Sequence, residues 1–99
     1  MSAESKACHD EGEAEAWVID GMKSLHLSET DLKTTFGSDP RKVAIAHAVH
    51  QKTAVARKWT AARLEMKSAM NVCQQIKRLK TGKLTLSKET KQWLSIIDP

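Results

Sequence analysis

Tyrosine is absent from this 99-residue sequence, and its aromatic residues are limited to three tryptophans and one phenylalanine. With so few large rings, a core must be built mainly from aliphatic side chains and alanine, which favours packed helices over a β-sandwich. The four glycines and two prolines are too few for the many tight turns of an all-β fold, and no long run alternates with period two. The sequence therefore predicts one small all-α domain.

Long apolar runs are also missing, and so is a basic N-terminus followed by an apolar stretch. No segment reaches the roughly 20 apolar residues that a membrane span needs, and the first residues are acidic instead of signal-like. The two cysteines, Cys8 and Cys73, lie far apart in the sequence. A reduced, cytoplasmic chain is favoured, with a disulfide as the alternative. We expect no membrane partner.

Charge is distributed unevenly along the chain. Residues 1–39 contain three lysines and nine acids (3 − 9 = −6), whereas residues 40–99 contain thirteen Lys or Arg and three acids (13 − 3 = +10). A basic domain behind an acidic leader is typical of a protein that meets a polyanion. Surface lysines that serve only solubility are the alternative reading.

Local signals divide the chain into an acidic tail, residues 1–10, expected to be disordered, and one helical domain over residues 11–99. Helical spacing of apolar residues predicts a helix over 11–25. Ser28 and Asp31 form the pattern of a capping box at the start of a short helix. That helix is expected to end at Gly37 in the left-handed conformation.

Two further helices have clear start signals. Asp39 is a good N-cap and Pro40 a good first residue for a helix that reaches about Lys52. Ser87 is expected to cap a last helix that reaches about Ile97. The apolar residues of that last helix either close the core or contact another copy, so it is a candidate homodimer surface.

The segment over about residues 53–80 predicts two short helices joined by a tight turn. Apolar or small residues mark the inner side of the first helix, and a three-residue stripe at i, i+4 and i+7 marks that of the second. These residues are Val55, Thr60, Ala61 and Leu64, then Val72, Ile76 and Leu79. The opposite side of the second helix carries amides and cations, which suits a major groove. We predict a helix-turn-helix whose recognition helix covers about Lys67 to Lys80.

Candidate contacts follow from side-chain chemistry, because amides pair with base edges and cations hold phosphates. The expected base contacts are Ser68, Met70, Asn71, Gln74 and Gln75. The expected phosphate contacts are Arg57, Lys58, Arg63, Lys67, Lys77, Arg78 and Lys80. The alternative reading is a solvated helix face, which is polar in every soluble protein.

Several short motifs in this region are familiar as a set: the run GSDPRKVAIA over residues 37–46, Thr53-Ala-Val, Lys58-Trp59, Asn71-Val72, and the run LSETDLK over residues 27–33. They resemble the C-terminal region of the REP-associated tyrosine transposases and related insertion-sequence transposases. More distantly, the stretch is similar to the C-terminal domain of the DnaA replication initiator, which has a Trp repressor-like fold. The resemblance covers about residues 13–79.

This resemblance implies a helix-turn-helix in the major groove, with Arg41 and Lys42 of the preceding helix as further phosphate contacts. The chain departs from the family pattern at three positions. The family's serine cap is Ala56 here, its buried isoleucine is Thr60, and its turn glycine is Lys67. We expect the helix that Ala56 precedes to lack a side-chain cap, at a cost of about 1 kcal/mol.

Catalysis is not expected. The resembled transposases use a His-hydrophobe-His metal motif and a tyrosine nucleophile, whereas this chain has no tyrosine and spaces His47 and His50 three apart. Two histidines do not complete a zinc site, and the contiguous run from Cys8 to Glu11 has poor geometry for a metal. No enzyme, metal or cofactor is therefore predicted.

Two functions remain from the sequence. The first is a double-stranded-DNA-binding protein that resembles the non-catalytic end of a transposase. The second is a helical protein–protein interaction module that has lost DNA binding. A basic face centred on the second helix of the pair favours DNA, whereas an apolar patch around Trp93 favours a protein partner.

Overall fold

A computed structural model describes the backbone of residues 2–97 and the side chains of residues 11–97. This part of the chain forms six helices and no strand, which confirms the predicted all-α class. The helices are α1 (Ser2–Ser24), α2 (Glu29–Thr34), α3 (Pro40–Lys52), α4 (Arg57–Arg63), α5 (Ala69–Lys80) and α6 (Lys88–Ile97). None of the helices described is long and apolar enough to cross a bilayer.

Helix α3 lies at the centre of the domain, in contact with α1, α5 and α6. It begins as predicted, with Pro40 as its first residue and the Asp39 carboxylate accepting a hydrogen bond from the Arg41 N–H at 2.9 Å. Because neighbours cover it on several sides, almost all of its middle is buried. The buried apolar residues are Val43, Ala44, Ile45, Ala46, Ala48 and Val49.

Gly21 allows α1 to approach α3 and α6 closely. A Cβ at this position would lie 2.7 Å from Ile45 Cγ1 and 3.0 Å from the Trp93 ring. The close packing therefore offsets the helix-propensity cost of glycine, about 1 kcal/mol. The predicted start of α1 at residue 11 is wrong for the backbone, because the helix already begins at Ser2. The side chains of residues 1–10 lie outside the described part, and disorder there stays a prediction.

The capping box of α2 is confirmed. Ser28 Oγ accepts a hydrogen bond from the Asp31 N–H at 3.1 Å, and the Asp31 carboxylate accepts one from the Ser28 N–H at 3.0 Å. The predicted left-handed conformation of Gly37 is wrong. Among the described glycines only Gly82 has a positive φ, of 76°, and Gly37 is instead buried under the α4–α5 turn.

Helix α6 closes the core against α1 and α3, which was one of its two predicted roles. Ser87 Oγ accepts a hydrogen bond from the Thr90 N–H at 3.2 Å, as its capping position predicted. Trp93 and Ile97 are buried. The Trp93 indole N–H donates to the Asp20 carboxylate at 3.1 Å, so the polar atom of the buried ring is satisfied.

Candidate nucleic-acid interface

Helices α4 and α5 are separate and pack against each other, as predicted for the segment after Thr53. Ala56 precedes α4 without a side-chain hydrogen bond to the helix, in agreement with the missing serine. Helix α5 is capped instead by Ser68, whose Oγ accepts a hydrogen bond from the Asn71 N–H at 3.2 Å. The second helix therefore begins at Ala69 and not at Lys67.

The turn between these helices uses two non-glycine residues in the left-handed region, Glu65 (φ 55°) and Lys67 (φ 76°). The Ser68 N–H donates a hydrogen bond to the Met66 carbonyl at 2.9 Å. This bond closes a three-residue turn around Lys67. The Met66 side chain is fully buried and anchors the turn. An L-residue with a side chain pays about 1–2 kcal/mol in this region, and Lys67 stands where the resembled family has glycine.

The exposed face of α5 is rotated from the predicted one. Its centre carries Met70, Cys73, Gln74 and Lys77, all exposed, with Met70 at 70%. Gln75 is buried beside Val72 and Ile76. Since consecutive helical residues are 100° apart, the exposed face lies about one residue away from a face centred on Asn71.

Asn71 and Gln75 form a ladder of amides along the inner edge of α5. The Asn71 amide N–H donates to the Met66 carbonyl at 2.8 Å and more weakly to the Gly37 carbonyl at 3.4 Å. Gln75 donates to Asn71 Oδ1 at 3.2 Å, and Arg78 donates to Gln75 Oε1 at 3.1 Å. Gln75 is buried and is removed from the predicted base contacts. Asn71 is half-buried and its amide N–H is bonded to the turn, so the predicted base contact at Asn71 is corrected to a role in holding the turn.

Six exposed cations of α4, α5 and the turn between them form no ion pair among the described side chains. They are Arg57, Lys58, Lys67, Lys77, Arg78 and Lys80. Residues 53–83 contain eight Lys or Arg and a single acid, Glu65. Apart from Arg63, which pairs with Glu15 and Glu29, these cations give the segment a positive potential.

Lys42 is fully buried and is removed from the predicted phosphate contacts. Its ammonium donates to the carbonyls of Leu32 at 2.6 Å, Thr35 at 3.0 Å and Glu65 at 3.2 Å. These bonds use all three of its donors and tie the end of α2 to the α4–α5 turn. Burial lowers the pKa of Lys42, an effect that the nearby Asp39 and Glu65 oppose.

Arg63 is also removed from the phosphate contacts, because two carboxylates already hold its guanidinium. It donates to both carboxylate oxygens of Glu15 at 2.6 and 2.7 Å and to those of Glu29 at 3.0 and 2.8 Å. These hydrogen bonds raise the pKa of Arg63 and join α4 to α1 and α2. Arg41 is half-buried and paired with Asp39 at 3.3 Å, so it too has an internal partner.

A groove of about 370 Å³ runs between α3 and α5. Its lining residues are His47, His50, Gln51, Arg57, Cys73, Ile76, Lys77 and Lys80. His50 Nε2 lies 2.8 Å from Thr60 Oγ1, and burial lowers the pKa of His50, as do Arg57 and His47. No group of three His, Cys, Asp or Glu side chains in the described part of the chain has the geometry of a metal site.

The groove was not predicted from the sequence, although the spacing of its lining residues indicates it. Cys73, Lys77 and Lys80 recur at i, i+4 and i+7 and therefore share one edge of α5, while His47 and His50 share one side of α3. The burial of Gln75 had a signal as well, because it lies on the same side of the helix as Val72.

Comparisons of the chain with protein-family models, curated proteins and solved structures found no match. The resemblance to transposases therefore stays a prediction.

Proposed function

We propose that this chain binds double-stranded DNA through a helix-turn-helix formed by α4 and α5, with α5 lying in the major groove. The observation that carries the proposal is the exposed face of α5, where Met70 and Gln74 are exposed and Lys77 and Arg78 follow one turn after Gln74 without an acidic partner in the described structure. The major groove of B-DNA admits a helix of this width and presents both acceptors and methyl groups to it.

Each exposed side chain has a role in this arrangement. Gln74 pairs with the edge of an adenine, and Met70 packs against a thymine methyl group. Ser68, at the N-terminus of α5, offers a hydroxyl close to the base edges. Phosphates are held on one side of the face by Lys77 and Lys80. The remaining phosphate contacts are Arg57, Lys58, Lys67 and Arg78.

A DnaA C-terminal or Trp repressor-like arrangement of these helices, and descent from the non-catalytic end of a transposase, are part of the proposal. One local feature supports them: Lys67 is left-handed at the position of the family's turn glycine. The uncapped start of α4 at Ala56 is a departure from the family pattern. The protein works without a catalytic centre or cofactor, in the cytoplasm.

A second candidate, a protein-interaction module, is favoured by one apolar surface away from α5. Ile96 on α6 is 72% exposed and Ile19 on α1 is 42% exposed. A shallow hollow of about 690 Å³ lies between these helices, lined in part by Trp17 and Ile97. A homodimer through α6 would cover this surface and is compatible with DNA binding.

The test is fluorescence anisotropy of a labelled duplex over a range of salt concentrations. Lys77→Gln should weaken binding to all sequences and reduce the slope of log affinity against log salt by about 0.9. Gln74→Ala should instead relax sequence preference by about 1–3 kcal/mol at one base pair. Lys23→Gln, which removes an exposed cation from α1, is the matched control and should leave affinity unchanged.

Two outcomes would overturn the DNA-binding proposal. One is the absence of binding at low salt to both random and genomic duplexes. The other is an equal loss of affinity in the Lys77 and Lys23 variants, which would show that affinity depends only on the net charge of the protein.

A further inference from the structure

The groove between α3 and α5 brings together cationic and imidazole side chains from three helices. His47 and His50 come from α3, Arg57 from the first residue of α4, and Lys77 and Lys80 from α5. No carboxylate is among its lining residues. Because these groups converge on one concave space from separate elements, the groove differs from a single solvated helix face.

The cationic lining continues past the end of this groove. A second hollow of about 290 Å³ shares His47 and Lys80 with the first and adds Lys91 from α6. Its lining also contains no acid. The two hollows form one strip of positive potential along the edge of α5 that carries Cys73, Lys77 and Lys80. A concave site lined by one sign of charge concentrates ions of the opposite sign.

We propose that the α3–α5 groove binds a phosphate group. Arg57 supplies a planar fork that suits two phosphate oxygens, and Lys77 supplies a point charge from the facing helix. A space of about 370 Å³ accommodates a phosphate with several waters, each of which occupies about 30 Å³. The phosphate comes either from a DNA backbone alongside α5 or from a free phosphate compound, so the proposal does not depend on duplex binding.

Binding in this groove is coupled to protonation of His50. The titratable and charged groups that line the groove around it are His47 from α3, Arg57 from α4, and Cys73, Lys77 and Lys80 from α5. Burial and the neighbouring Arg57 and His47 lower the pKa of His50. A bound phosphate places negative charge beside the ring, which favours the imidazolium, so binding should raise the pKa of His50.

The test follows the histidine ring resonances of the full chain by NMR during separate titrations with inorganic pyrophosphate and with a random-sequence duplex. We expect saturable shifts at His47 and His50. His26, whose side chain is 79% exposed outside the groove, provides an internal control and should not move. With saturating pyrophosphate, the titration of the His50 ring resonances should move to higher pH, because the bound anion favours the imidazolium. An unmoved titration would overturn the coupling to His50.

Two variants separate the groove from general charge. Arg57→Gln should weaken pyrophosphate binding by about tenfold, as expected for the loss of a charge-assisted contact, whereas Lys23→Gln should change it less than twofold, an exposed cation being worth little. Circular dichroism checks that both variants fold. Equal weakening in the two variants would overturn the groove as the site.

The two titrations also distinguish the source of the phosphate. Shifts with pyrophosphate identify a free phosphate compound as sufficient, and shifts with the duplex alone identify the DNA backbone. If neither ligand moves His47 and His50, the groove proposal fails. Should the duplex then still bind by anisotropy, the DNA-binding proposal survives that failure.

Discussion

Replacing Lys67 by glycine should stabilise the protein. Lys67 has a φ of 76° and an exposed side chain, so it carries the strain of the left-handed region, about 1–2 kcal/mol. Glycine removes that strain but adds about 0.4–1 kcal/mol of chain entropy to the unfolded state. The net gain should be about 0.5–1 kcal/mol, or about 2–8 °C in Tm for a domain of this size.

Lys67→Ala is the matched control, because it removes the same charge but keeps a Cβ. Thermal unfolding followed by circular dichroism should place the glycine variant above the alanine variant, with the alanine variant close to the parent protein. A glycine variant no more stable than the alanine variant would refute the assigned left-handed turn. The same pair should lose DNA affinity equally, since both lack the cation.

Three further changes test the supports of the site. Gly37→Ala should cost about 1–3 kcal/mol of stability, because its Cβ would lie 2.9 Å from Asn71 Nδ2; Gly12→Ala, with nothing within 4 Å, should not destabilise in urea unfolding. Arg63→Gln should lower the free energy of unfolding, measured in urea, by roughly 1–2 kcal/mol. An unchanged free energy of unfolding would contradict the double ion pair. The hydrogen bond from Arg63 holds the pKa of Glu29 below its usual range. This pairing therefore stabilises the fold above about pH 4.3, and the stabilisation is lost as the pH falls through the lowered pKa. Glu29→Gln should reduce this loss of stability at acid pH.

Local features of the fold followed from the sequence because they depend on neighbouring residues. The capping box at Ser28, the Asp39-Pro40 helix start and the break between α4 and α5 each involve groups within a few positions of one another. The missing cap at Ala56 was foreseen for the same reason. Such interactions form in any context that allows the helix.

Two of the corrected residues, Lys42 and Arg63, depend on partners distant in sequence. The three carbonyls that hold Lys42 lie 10, 7 and 23 positions away, and Glu15 lies 48 positions from Arg63. The sequence shows that these side chains are cations. It does not show which of them is paired with another group in the folded protein. Asn71 was misassigned for a related reason, since its amide donates to a carbonyl of the turn, Met66, and to one 34 positions away, Gly37.

The most direct test of the central claim maps a DNA duplex of about 20 base pairs onto the ¹⁵N-labelled protein by amide chemical-shift changes. We expect the largest changes along the exposed face of α5, from Met70 through Lys77, and at Arg57 and Lys58 at the start of α4. Changes centred on Ile19 and Ile96, or no changes at low salt, would contradict that claim.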